Sequence, residues 1–189
     1  MGFTRAELAA CGDRLVPDLV GPNCRLLFVG INPGLWSAAT GAHFARPGNR
    51  FWPALYRAGI TDHLVDASSG MSDADSEYLI GRGVGITNVV ARATATAAEL
   101  SATELVVGGR HLRDRVEQIG PDVVAVAGIT AYRSAFGDRR ATSGEQPERW
   151  GETRIWVVPN PSGLNAHETV DSLAAAYREV AVAAAVLAP

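Results

Sequence analysis

Two carboxamides stand where chemistry could be done. Asn32 lies in GINPG, residues 30–34, directly after the apolar run LLFV; Asn160 lies in PNPSGLN, residues 159–165, directly after IWVV. A carboxamide offers a donor and an acceptor to a water or a substrate atom, but it takes no proton at neutral pH. The plain reading of each stretch is a turn, since Asn caps its own backbone and Pro and Gly reverse the chain. The other reading sets both turns on one edge of a sheet, facing each other across a cleft. A hydroxyl, a flat ring and two guanidiniums follow the first turn: Ser37, Phe44, Arg46 and Arg50.

Other constellations are poorer. His43, His63, His111 and His167 are scattered without metal-ligand spacing, and each reads as a surface or loop histidine. No metal site is expected. No G-x-S-x-G elbow surrounds Ser162, and His167 alone makes no triad. GRGVG lacks the spacing of a dinucleotide fingerprint, and VGGRHL reads as helix interior. Asp62, Asp66, Asp73 and Asp75 read as solvated acids, and Trp52, Leu55 and Tyr56 as core positions at helical spacing.

The elements that must position these residues are legible in outline. Runs 26–31, 84–89, 123–127 and 155–158 are continuously apolar, as strands covered on both faces are. Helical signals lie between them. NRFWPALYRAG has Asn49 as its cap and Gly59 as its stop, and SDADSEYLIGRG ends in glycines. SATELVVGGRHLRDRVEQIG sets Ser101 and Glu104 at capping-box spacing. TAYRSAFGD follows the third strand, and HETVDSLAAAYREVAVAAAVL gathers Val170, Leu173, Tyr177 and Val180 on one face. Strands alternating with helices predict parallel pairing through right-handed crossovers. The expected fold class is α/β, a three-layer sandwich around a four-stranded, mostly parallel sheet, with residues 1–189 as a single domain. Segments 68–76 and 139–153 read as mobile loops. In such sheets ligands bind beyond the carboxyl ends of the strands, where both Asn-Pro turns fall.

Bulk composition narrows the classes. Hydrophobic residues make 47% of the 189 and charged residues 20%, with a net charge of −3, which is ordinary for a globular domain. All 17 basic residues are Arg, so any basic surface is local and made of planar forks suited to phosphate. Cys11 and Cys24 are too few for a cysteine-only metal site or a disulfide framework. A charged amino terminus and the lack of a long apolar run argue against a signal peptide or a membrane span. The expectation is a cytoplasmic monomer.

GINPGLWSAATGAHFARPGNRFW together with WVVPNPSGLN resembles the mismatch-specific uracil-DNA glycosylase and thymine-DNA glycosylase family. The likeness runs from about residue 25 to residue 177, through GVGITNVV, RATA, ELVVGGRHL and LAAAYRE. It implies the three-layer fold of uracil-DNA glycosylases and hydrolysis of the bond between a flipped base and its deoxyribose. No metal or organic cofactor is implied, and the partner is double-stranded DNA holding a G·U pair or a related lesion. The family's water-positioning Asn falls on Asn32 and its stacking aromatic on Phe44. Its wedge loop falls on Asn160 to Asn165, with Leu164 as the inserted side chain and Ser162, Gly163 and Asn165 around it. Asn160 stands where faster uracil-DNA glycosylases carry a histidine. Backbone N–H groups near Ile31 and Phe44 would meet the pyrimidine oxygens, Ser37 the 5-position, and Arg46 and Arg50 the phosphates. A neutral amide positions water without activating it, so good leaving groups should react fastest, and Asn32→Asp should be no slower than the parent. Trp36, Asn165 and Ala166 depart from the family pattern, where small residues, Ser and Arg are usual. Two further readings stand beside this one: a non-catalytic nucleotide- or DNA-binding α/β module on the same scaffold, and a hydrolase of free nucleosides.

Overall fold

The computed structural model describes residues 2–12 and 14–189. At its centre is a sheet of β1 (Leu26–Gly30), β2 (Val84–Asn88), β3 (Val123–Ala127), β4 (Gly144–Trp150) and β5 (Thr153–Val158), in the order β2-β1-β3-β5-β4. β1 pairs in parallel with β2 and β3, and β3 with β5. β4 runs antiparallel to β5.

The sheet therefore has five strands rather than four. The extra strand, β4, lies inside the segment 139–153 that the sequence marks as a loop. Its residues GEQPERW form no apolar run because only one face is covered: Gln146 and Trp150 are buried while their neighbours are not. Pro147 is tolerated on this edge strand, next to a register shift between Glu145 and Arg149.

Alternate strand residues feed two cores. Leu26, Phe28, Val123 and Ala125 pack with α3 (Phe51–Arg57), α4 (Asp73–Gly81) and α7 (Val170–Ala183). Leu27, Val29, Val124 and Val126 face the other way, toward α5 (Ala102–Ile119) and α6 (Ile129–Phe136). Both faces are covered, which is why these strands read as unbroken apolar runs. Ser101 and Glu104 form the expected capping box on α5. On α3 the cap position is Arg50, one residue later than the sequence suggests; Asn49 Oδ1 still accepts from the Phe51 N–H at 2.9 Å. Trp52 and Leu55 are buried as expected, but Tyr56 is half exposed. Two short helices lie outside the helical segments read from the sequence, α1 (Arg5–Ala9), which Thr4 and Glu7 open with a capping box, and α2 (Leu35–Thr40); they pack on each other.

The chain leaves β1 toward β2 on one side, then crosses through α5 to β3 on the other. This reversal puts a crevice at the carboxyl ends of β1 and β3, the usual place for a ligand in an open α/β sheet.

Candidate active site

A cavity of about 180 Å³ occupies that crevice. β1 and the turn after it supply Gly30, Ile31 and Asn32; β2 supplies Asn88; β3 supplies Ala127; the loop after β5 supplies Asn160 and Ser162. The two Asn-Pro turns thus border one cavity. Among the described residues no Asp or Glu lines the cavity.

Asn32 has a fixed polarity. Its Nδ2 donates to Arg92 O at 2.9 Å, Thr94 Oγ1 at 2.7 Å and Pro33 O at 3.2 Å. Two carbonyls admit only the donor end of the amide, so Oδ1 is the end left without a partner among the described residues, on a residue that lines the cavity. The Thr94 hydroxyl spends its own proton on Thr96 O at 2.8 Å, which holds its lone pair toward Asn32. The turn itself is tied to the segment after β2: Val89 N donates to Gly30 O, Val90 N to Ile31 O and Thr94 N to Pro33 O.

Asn160 has the opposite polarity. Its Oδ1 accepts from the Ser162 N–H at 2.9 Å, a local Asx turn. Its Nδ2 makes no hydrogen bond among the described residues and remains free to donate. The rest of the loop is self-bonded: Asn165 N donates to Ser162 O at 2.9 Å and Leu164 N to Ser162 Oγ at 3.3 Å. Leu164 is 77% exposed at the tip. A second hollow beneath it is lined by Arg46, Asn49 and Ser162, residues that also line the first cavity. Gly163 lets the loop sit close: a Cβ there would lie 2.6 Å from Gly48 O. Asn165 does not face outward with its amide. Its Nδ2 donates to Asn160 O at 3.2 Å, and its Oδ1 accepts from His167 N at 3.3 Å.

Phe44 and Ser37 line the cavity as well. Phe44 holds φ at 53°, a conformation a bulky residue keeps only when its surroundings impose it, at about 1–3 kcal/mol. Here they do. Its ring stacks on Phe51 with centroids 4.0 Å apart and planes 20° apart. The Trp52 indole N–H donates to His43 O at 3.1 Å, and the Ala45 N–H to Ser37 Oγ at 3.3 Å, pinning the backbone on both sides of Phe44. Ile31 lies in the wall, and neither its N–H nor that of Phe44 finds an acceptor among the described residues.

Three wall residues escaped the sequence reading: Thr94, Asn88 and His43. Asn88 ends a strand at the carboxyl edge, a position that could have marked it. His43 is buried rather than on the surface. Its Nε2 meets Pro17 O at 2.9 Å and its Nδ1 meets Asn88 Nδ2 at 3.3 Å. Burial lowers its pKa, and an amide donor at Nδ1 requires the neutral ring. Gly30 makes room for this pair, since a Cβ there would sit 2.5 Å from Asn88 Oδ1.

The two arginines differ. Arg46 is exposed at the rim shared by both hollows, and its side chain makes no hydrogen bond or ion pair among the described residues. Arg50 is half-buried and turns inward, donating to the backbone carbonyls of Ser162, Asn165 and Glu168. Its guanidinium is occupied by the protein and is not presented to a phosphate. Trp36 turns away from the cavity, its Nε1 donating to Ser68 O at 2.8 Å and its ring meeting Phe3 edge-on.

The fold is similar to a solution NMR structure from Methanosarcina acetivorans, described as a candidate uracil DNA glycosylase. The TM-score is 0.59 at 18% identity, over 89% of this chain and 98% of that one. Identity at that level speaks for the fold. A model of the Uracil DNA glycosylase superfamily matches residues 17–182, which take in both Asn-Pro turns and every strand of the sheet. By that match, the chain belongs to the uracil DNA glycosylase superfamily.

Proposed function

We propose that the protein is a monofunctional DNA glycosylase of the mismatch-specific uracil and thymine type, acting on uracil or a related damaged pyrimidine in duplex DNA. A base inside a duplex presents no reachable glycosidic bond, so the nucleotide must rotate outward, at about a few kcal/mol and least for a mispair. Leu164, exposed on a tight loop, has the shape to fill the vacated stack. Arg46 at the rim is free to meet a phosphate. The flipped base would lie on Phe44, with stacking on the scale of about 1–3 kcal/mol per base.

In this reading the C1′–N1 bond breaks first and its electron pair leaves with the base. The N–H groups of Ile31 and Phe44 and the Nδ2 of Asn160 are donors for the pyrimidine oxygens as negative charge develops. A water held on Asn32 Oδ1 adds to C1′, and its proton passes to solvent or to the departing anion, since no cavity carboxylate is there to take it. The observation that carries the proposal is the opposed polarity of the two carboxamides: one oxygen for the water, one N–H₂ for the leaving base.

Duplexes holding a single G·U, G·T, A·U or G·ethenocytosine pair, incubated with the protein and then with alkali, test it. Strand breaks at the lesion are expected, most readily opposite G. Their absence from every duplex would favour the non-catalytic module. A single-turnover series of 5-substituted uracils should show rate rising with leaving-group acidity, and a flat series would sink the amide-only mechanism.

A further inference from the structure

We propose that Arg50 is the positioning residue of the 160–168 loop, holding Leu164 ready for insertion; the role rests on the glycosylase reading above. The loop is attached to the body through one side chain to an unusual degree. Backbone carbonyls of Ser162, Asn165 and Glu168 converge on the guanidinium, with Asn165 O at 2.7 Å, and the Arg50 N–H donates to Pro161 O at 2.9 Å. Carbonyls gathered inward leave the loop's opposite side to face out, and that side carries the exposed Leu164. A planar fork with several fixed N–H directions can serve three carbonyls at once; an ammonium on a flexible stem cannot. Arg50 also opens α3, whose Phe51 stacks on Phe44. The same residue therefore sets the distance between the wedge and the base platform, and the wedge is ordered before DNA arrives, when its entropy cost is already met.

A double-mutant cycle tests this on the full chain. Arg50→Gln should slow single-turnover excision from a G·U duplex by about 10- to 100-fold, the scale of one or two charge-assisted hydrogen bonds. In a Leu164→Ala background the same change should cost no more than about threefold, because it acts through a tip already removed. Arg50→Lys, keeping the charge without the fork, should fall between. The salt dependence of binding should keep its slope, since no phosphate contact is lost. Equal losses in both backgrounds, no loss at all, or a flattened salt slope would overturn the proposal.

Amide hydrogen exchange read on the same variants needs no activity. Exchange at residues 160–168 should quicken in Arg50→Gln and Arg50→Lys while the strands stay protected; unchanged exchange in the loop defeats the clamp. If the wild type cuts no duplex but the loop still loosens, the glycosylase reading has failed and the clamp has not.

Discussion

The turn after β1 and the loop after β5 carry the same Asn-Pro pair at the same edge of the sheet, yet they are built differently. Asn32 is gripped by a distant segment: Arg92 O and Thr94 Oγ1 take its N–H₂, and backbone bonds from Val89, Val90 and Thr94 hold the turn itself. Asn160 is gripped locally, through its oxygen, by the Ser162 N–H, and its loop is fastened by the side chain of Arg50. One dipeptide thereby keeps a free oxygen and the other a free N–H₂. Residue type alone does not assign a role to a carboxamide; the half that the protein consumes decides which half is left to react. The difference in fastening matters too. On the proposed reading a water must be placed to a fraction of an ångström, which suits a turn held by backbone bonds from another segment, while the wedge loop depends on one side chain for its place.

The largest expected effect breaks the rigid side. Asn32→Ala should lower single-turnover excision from a G·U duplex by about 100-fold or more, the scale of a lost positioning group. Asn32→Asp sharpens the point, and here the geometry reverses the expectation that sequence alone suggests. A carboxylate would set an oxygen against Arg92 O and Pro33 O, which are acceptors, and such an environment raises a carboxyl pKa. The variant should be slower than the wild type at neutral pH, with a rate that climbs as pH rises. A faster Asp variant at pH 7 would mean that the amide's polarity is not what the turn enforces.

What the sequence disclosed follows the same division between local and distant partners. β1, β3 and β5 show as apolar runs because both faces are covered, whereas β4, buried on one face and carrying Pro147, reads as a loop. Long helices with caps, α5 and α7, declare themselves; α1 and α2, of five and six residues, are too short for a period to show. In the site, Asn32, Asn160 and Leu164 are conspicuous as turn residues at strand ends. Thr94 and the His43–Asn88 pair are not, because their places are set by contacts 62 and 45 residues apart along the chain. Arg50 was visible as an arginine near the site, but only coordinates show that it faces the protein.

Leu164→Ala tests the side fastened by Arg50. It should slow excision from a G·U duplex by about 10- to 50-fold, as part of the few kcal/mol of unstacking goes unsupported. Uracil opposite an abasic site, already free of its pair, should lose no more than about threefold. Thermal stability should not change, because the side chain is 77% exposed. A comparable loss on both substrates would remove the distinction between wedge and water site. Thr94→Val is a gentler probe of the rigid side, removing one acceptor from Asn32 while two carbonyls remain. A fall of about 5- to 10-fold is expected for one hydrogen bond, on both substrates alike, and Thr94→Ser should recover most of it.

The smallest effect concerns a third carboxamide, Asn88, whose polarity is tied to pH through His43. Asn88 Nδ2 needs a lone pair on His43 Nδ1. Burial lowers the folded-state pKa of His43 below its ordinary 6.5, against smaller opposing effects of Pro17 O and Asp18. Above 6.5 the ring is neutral whether folded or unfolded, and the contribution is level. As pH falls below 6.5 the unfolded chain binds the proton first, so stability should drop toward the lowered value. His63 runs the other way: Asp75, then Asp62, raise its pKa, so its contribution is fully present below 6.5 and is lost as pH rises through the folded value. Melting temperatures between pH 5 and 8 should therefore fall less steeply on the acid side in His43→Gln than in the wild type, and lose their acid-side support in His63→Gln. A wild-type slope unchanged in His43→Gln would mean the ring is not held neutral, and Asn88 would then be free to turn its amide as neither Asn32 nor Asn160 can.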